Sequence, residues 1–288
     1  MIQRSAQAMF KLSDEQLQQL LHELQQRTGI TVETPRWLLE EYLGERSAEL
    51  GMSSVQGYLD SLKDDLGSRA EWLALVDLLT VKETRFFRQP AAFQQVRQEV
   101  CTRAQADTIG PEFSVWSVGC STGEELYSLG MVVEHALRDS GCATNWHGIG
   151  TDVSFGAVAR AKIGRYPERS INDIPLAYRS RYIRCEDKDQ YWVCDRIFNR
   201  ISFFHSNLMH VENAPFAKFD IVFCQNVLIY FDRITRLHVI DQLLTRTRAG
   251  GLLVLGAGED IGWHTDQAER ISQDGVTTYR KLGGFENG

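Results

Sequence analysis

The stretch Val115-Trp-Ser-Val-Gly-Cys-Ser-Thr-Gly-Glu-Glu125 holds the residues best suited to ligand chemistry. A buried apolar strand breaks into a small-residue loop with Gly119, Ser121 and Gly123 at alternate positions, and a helix opens behind it. Glycine permits a tight turn and close approach of backbone to a ligand, and a helix start offers free N–H groups. Many α/β proteins carry such a loop. The acidic pair that follows narrows the choice. Glu124 and Glu125 would crowd a pyrophosphate, which disfavours a dinucleotide. A ligand carrying a sulfonium and an ammonium suits two carboxylates, and S-adenosylmethionine carries both.

Three further positions fall where strands should end, and in open α/β sheets ligands bind beyond the carboxyl ends of the strands. Asp152 closes the strand 146–151 and is placed to accept from ribose hydroxyls; the alternative is that it only caps the following helix. Its distance from the glycine loop exceeds the usual spacing of about 20 residues. Asn207 and Asn226 follow two later strands and could meet an adenine edge, or serve as turn residues. Tyr230 follows in the segment 225–232. Upstream, the segment 81–90 puts Thr84 and Arg88 around Phe86 and Phe87, either as a ligand-facing segment or as a linker anchored by its phenylalanines.

The elements that must position these residues fall into two parts. Residues 13–80 read as helices: Ser13 with Gln16 forms a capping-box pattern, leucines recur at helical spacing from Leu17, and helices are expected near 36–50, 54–66 and 69–80, with Gly51 and Gly67 as stops. From residue 113 strands (114–119, 146–151, 201–205, 219–225, 251–256, 276–281) alternate with helices (123–138, 153–163, 233–248). That rhythm predicts an α/β fold with a mostly parallel sheet. Residues 181–204 interrupt it with strand formers from Tyr182 to Phe198 around the turn 186–189, which predicts an inserted antiparallel hairpin. The expected layout is an all-helical domain over 1–80, a linker over 81–93 and an α/β domain over 94–288.

Composition bounds the function. A chain of 288 residues with net charge −7 does not suit general nucleic-acid binding. No apolar run approaches the roughly 20 residues that span a bilayer. Six cysteines without a CxxC pair argue against a metal site and for a reducing, cytoplasmic setting.

Taken together, Thr84-Arg-Phe-Phe-Arg88, Trp116 to Glu125, Gly150-Thr-Asp152, Ser206-Asn-Leu208 and Asn226-Val-Leu-Ile-Tyr-Phe-Asp232 resemble the CheR family of chemotaxis-receptor glutamate O-methyltransferases, collinearly over about residues 13–282. Within it the chain is most similar to the PilK-type branch linked to type IV pilus chemosensory systems, on the segment 81–88 and the acidic N-terminal helix. The resemblance implies a class I S-adenosylmethionine-dependent methyltransferase sheet, Rossmann-like, behind a helical receptor-recognition domain.

It also implies roles. Thr84 and Arg88 contact cofactor or substrate, Glu124 the methionine end, Asp152 the ribose, and Asn207 with Leu208 the adenine. Asn226 and Val227 line the same pocket, and Arg88 and Tyr230 lie nearest the transferred methyl. Lys82 departs from the family pattern, which often has Asn there. The implied partner is the cytoplasmic helical domain of a methyl-accepting chemoreceptor. Some relatives also capture a receptor's C-terminal peptide on a hairpin with a longer, glycine-rich turn; the charged turn Cys185-Glu-Asp-Lys-Asp-Gln190 has no glycine, which predicts no dependence on that tether. Two alternatives stay open. One is a catalytically silent cofactor-binding module, against which Arg88 and Tyr230 speak. The other is a dinucleotide oxidoreductase, against which Glu124 and Glu125 speak.

Overall fold

The computed structural model describes residues 11–31, 34–52, 54–63, 68–80, 83–187, 190–213, 218–272 and 274–283. The chain forms two compact units, Met1–Val81 and Lys82–Gly288. The first contains α1 (Asp14–Thr28), α2 (Arg36–Glu49), α3 (Val55–Ser61) and α4 (Ser68–Leu79). Ser13 and Gln16 close the expected capping box on α1, and Gly29, at φ 74°, ends it. The helices bury Leu20, Leu24, Leu39, Leu43, Tyr58, Trp72 and Leu75. Under them Glu71 accepts two bonds from Arg46 and one from the Tyr58 hydroxyl at 2.8 Å. Of the two glycine stops, Gly51 follows α2 at φ 69°, while Gly67 lies outside the described residues.

The second unit begins with α5 (Pro90–Gln105), β1 (Glu112–Val118), α6 (Glu124–Asp139), β2 (Asn145–Asp152), α7 (Phe155–Ala161) and β3 (Arg165–Pro167). Then come α8 (Glu168–Ile171), α9 (Leu176–Tyr182), β4 (Ile183–Asp187), β5 (Gln190–Val193), α10 (Asp195–Phe198) and β6 (Ile201–His205). It ends with β7 (Phe219–Cys224), α11 (Arg233–Thr245), β8 (Thr247–Leu255), β9 (Ala268–Arg270) and β10 (Thr277–Lys281). A seven-stranded sheet runs β6-β2-β1-β7-β8-β10-β9, parallel from β6 to β8 and antiparallel at β10 and β9. Every residue of β7 is buried, as is β1 after its first residue, because helices cover both faces. The strands therefore end together at one carboxyl edge.

Three features differ from the sequence expectations. Helix α5 was outside them, although Pro90 at its first turn and the buried Ala92, Phe93, Val96 and Val100 mark it. The hairpin is shorter than 181–204. Only β4 and β5 pair antiparallel, and β3 extends them to three strands. Tyr182 ends α9, Ile197 and Phe198 lie in α10, and 201–204 belong to the main sheet. These residues are strand formers by type, but tertiary burial favours helix: Tyr182 is buried, its ring edge-on to His135 of α6 at 6.2 Å. Residues 188–189 of the turn lie outside the described residues. Finally, α11 stops at Thr245 and β8 starts at Thr247, so residues expected at a helix end join the sheet.

Candidate functional site

The loop after β1 is stapled to the end of β2. Gly119 and Cys120 donate their N–H groups to Thr151 O at 2.8 and 3.0 Å. Ser121 N–H donates to Asp152 Oδ2 at 2.8 Å, and Ser154 N–H donates to Asp152 Oδ1 at 2.8 Å. The cap of α7 is Ser154, whose hydroxyl accepts from Ala157 N–H at 3.0 Å. Asp152 thus holds the loop rather than capping the helix by itself. The glycines serve the chain's own packing first. A Cβ on Gly119, at φ 68°, would stand 2.4 Å from Val227 Cγ2, so glycine lets the loop after β7 close onto this one. Gly123, at φ 99°, is pressed by Ala161, Tyr166 and Phe203.

Carboxylates converge behind this loop. Glu124 is buried and accepts from the Thr122 hydroxyl at 2.6 Å; burial raises it despite that bond. Burial pushes Glu125 up to about 8 against the pull of the Ser117 hydroxyl, which donates to it at 2.7 Å. Glu259 and Asp152 add to the rise, and Arg88 opposes it. Glu125 keeps partial solvent access. The Cys120 thiol is raised by burial, and Asp152, Glu125 and Glu124 add to the rise.

Arg88 is half-buried and donates to Glu83 O at 2.8 Å. Its segment belongs to the second unit rather than hanging free. Phe86 meets Tyr166 at 4.8 Å and Phe87 meets Phe93 at 5.1 Å. Phe87 N–H donates to Ser128 Oγ, and that hydroxyl donates to Glu124 O, tying the segment to the first turn of α6. Thr84 is half-buried nearby in sequence, and Lys82 lies outside the described residues. Asn207 Oδ1 accepts from Met209 N–H at 2.9 Å, the turn role of asparagine, with Leu208 half-buried beside it. Asn226 is half-buried at φ 59°, and Tyr230 ends a 3-10 turn over Leu228–Tyr230.

Glu259 was not among the expected site residues. It sits in Gly256-Ala-Gly-Glu259, an acidic residue in a glycine loop after a strand, the same signal as Gly123-Glu124. Its carboxylate accepts from Leu228 N–H at 2.9 Å and Gly256 N–H at 2.7 Å, so it fixes the loop that carries Asn226 and Tyr230. Burial raises it even so.

Strain and unmet polarity coincide here. Phe87, Ser121 and Asn226 adopt positive φ without being glycine, at about 1–2 kcal/mol each. Ser121 Oγ and Asn226 Oδ1 are buried and have no hydrogen-bond partner within the chain. Such orphaned atoms on adjoining loops, above a cluster of carboxylates, fit a polar, cationic ligand. Residues 82–277 match the family model described as CheR methyltransferase, SAM binding domain.

The chain belongs to the CheR methyltransferase family.

It is 30% identical to a chemotaxis protein methyltransferase of Klebsiella aerogenes, over 93% of this chain and 90% of that one. It is 29% identical to chemotaxis protein methyltransferase 2 of Vibrio cholerae, over 90% and 88%. A probable biofilm formation methyltransferase, WspC of Pseudomonas aeruginosa, is 31% identical over 83% of this chain and 53% of its own length. No helix among the described residues is long and apolar enough to cross a membrane.

Proposed function

We propose that this chain is a protein-glutamate O-methyltransferase of the cytoplasm that acts on the helical domain of a methyl-accepting chemoreceptor. The observation that carries it is a pair of adjoining, strained loops, Gly119 packed against Val227, whose buried Ser121 Oγ and Asn226 Oδ1 lack partners, beside Glu124, Glu125 and Glu259, which are held by hydroxyls and backbone N–H groups rather than by cations. When bound there, S-adenosylmethionine supplies an electrophilic methyl group and leaves as S-adenosylhomocysteine. Asp152, at the end of β2, takes the ribose hydroxyls, and Glu124 the methionine ammonium. Asn207 and Leu208 flank the adenine, and Asn226, Val227, Thr84 and the loop Gly119–Gly123 complete the wall.

A glutamate acceptor is already ionised at neutral pH, so no general base is needed. The chain must align the accepting oxygen with the methyl and keep water out. Arg88 orients the acceptor carboxylate through charge-assisted hydrogen bonds, and Tyr230 guides one oxygen. The names of relatives support a chemosensory receptor as acceptor. A type IV pilus pathway rests on the resemblance of the segment 81–88 and the acidic N-terminal helix.

Transfer of labelled methyl from S-adenosylmethionine to a receptor cytoplasmic fragment, with peptide mapping, tests the assignment. Base-labile label on glutamate is expected. Binding of S-adenosylhomocysteine without transfer to any receptor fragment would instead favour the silent module.

A further inference from the structure

The loop after β8 has its polarity turned inside out. Glu259 is 1% exposed and holds two backbone N–H groups. Asp260 is 9% exposed, accepts from the Tyr279 hydroxyl at 2.6 Å and pairs with Arg270 at 3.1 Å. The apolar Ile261 beside them is 71% exposed. The loop after β7 repeats the inversion: Leu228 is buried, while Ile229 is 54% exposed. Ile234, in the first turn of α11, is 83% exposed. These segments adjoin. Glu259 binds the loop after β7 to the loop after β8, and a Cβ on Gly262 would stand 3.0 Å from the Arg233 guanidinium. Three exposed isoleucines therefore lie on adjoining segments at the carboxyl edge of the sheet, two of them within four residues of Tyr230 along the chain.

We propose that Ile229, Ile234 and Ile261 form a docking rim for the apolar face of the receptor helix that presents the accepting glutamate. The proposal rests on the receptor-methylating activity argued above and names the surface that meets the partner. A free small acceptor would call for an enclosed pocket, whereas an open apolar rim beside the site matches an amphipathic helix laid across it. Charge agrees with that occupant. Arg233 is exposed on the rim, while the neighbouring Asp232 is engaged as the N-cap of α11 by Thr235 N–H at 2.9 Å. The rim thus offers apolar surface and a cation to a helix carrying acidic residues.

The test uses the full chain, labelled S-adenosylmethionine and a receptor cytoplasmic fragment, comparing wild type with Ile234→Ser/Ile261→Ser and, as a stronger change, Ile234→Glu/Ile261→Glu. KM for the fragment should rise about tenfold in the first and more in the second, with kcat at saturation and the S-adenosylhomocysteine dissociation constant within about twofold of wild type. An unchanged KM with an active wild type overturns the rim and leaves the activity standing. A parallel loss of S-adenosylhomocysteine affinity also overturns it, since the isoleucines would then only support the site. So does a wild-type dimer that the variants dissociate, because a second copy of the chain would then be the occupant. A wild type that methylates no receptor fragment overturns the activity itself, and the rim with it.

Discussion

The two ends of β7 treat buried carboxylates in opposite ways. At its amino end Asp220 lies between Arg103 at 3.1 Å and Arg248 at 2.6 Å, and Glu99 lies between Arg103 and Arg280, each at 2.7 Å. Burial pushes Glu99 up, but Arg280 and Arg103 outweigh it and hold it below its ordinary value. In the helical unit Arg46 and Tyr58 do the same for Glu71. At the carboxyl edge Glu124, Glu125 and Glu259 are met by hydroxyls and backbone N–H groups, and all three are raised. Among the described residues none of these three forms an ion pair. Structural carboxylates come with their own cations; those at the carboxyl edge have none among the described residues, and burial shifts them toward the neutral form, so a cationic ligand would favour their ionisation.

The contrast can be broken most severely from the structural side. Asp220→Ala breaks the pair with Arg248, takes from Arg103 one of its two carboxylate partners and removes the acceptor for Ser114 N–H, so urea denaturation should show a loss of about 3–5 kcal/mol. On the site side, Arg88→Ala should lower turnover by about 100-fold and Tyr230→Phe by less, both more than they weaken cofactor binding; full activity in both would remove them from the acceptor's path. Asp152→Ala should weaken S-adenosylhomocysteine binding by about 1.5–3 kcal/mol by calorimetry, and unchanged affinity in a folded variant would take Asp152 out of the site.

Glu125 sharpens the contrast through pH. Raised to about 8 by burial, it holds a proton in the ligand-free protein at neutral pH. A cation favours the ionised form, so binding of S-adenosylmethionine should release protons, and affinity should climb with pH by at most about tenfold per unit, levelling above about 8. For folding the sign is reversed. A carboxyl that is more basic folded than unfolded stabilises below its unfolded pKa, and that contribution is lost as pH rises toward its folded value. Glu125→Gln should flatten both curves; a wild-type affinity already independent of pH between 6 and 8, on the order of the window set by the shift, would refute the idea. The smallest effect is expected away from the site. Removing a receptor's last few residues should leave the methylation rate unchanged.

Much of this was legible along the chain because it depends on local rules. Alternating apolar runs and helical spacing mark the five parallel strands of the sheet and the helices α6, α7 and α11. The capping box at Ser13 and Gln16 needs only neighbours to form. Helix α5 and the true extent of the hairpin were harder, because Tyr182, Ile197 and Phe198 favour strands by type and become helical through burial.

The sequence by itself determined the α/β class, the carboxyl-edge positions of Asp152, Asn207 and Asn226, and the family signature. Tertiary structure alone decided what those residues face. Glu259 is far from Leu228 along the chain yet bonds its N–H. Gly119 is glycine because Val227 packs upon it. Glu99 and Glu125 are the same residue type, and the folded chain makes one an ion-pair partner and the other a raised, cation-seeking acid. Charge state follows burial and neighbours, and both are set by how distant segments pack.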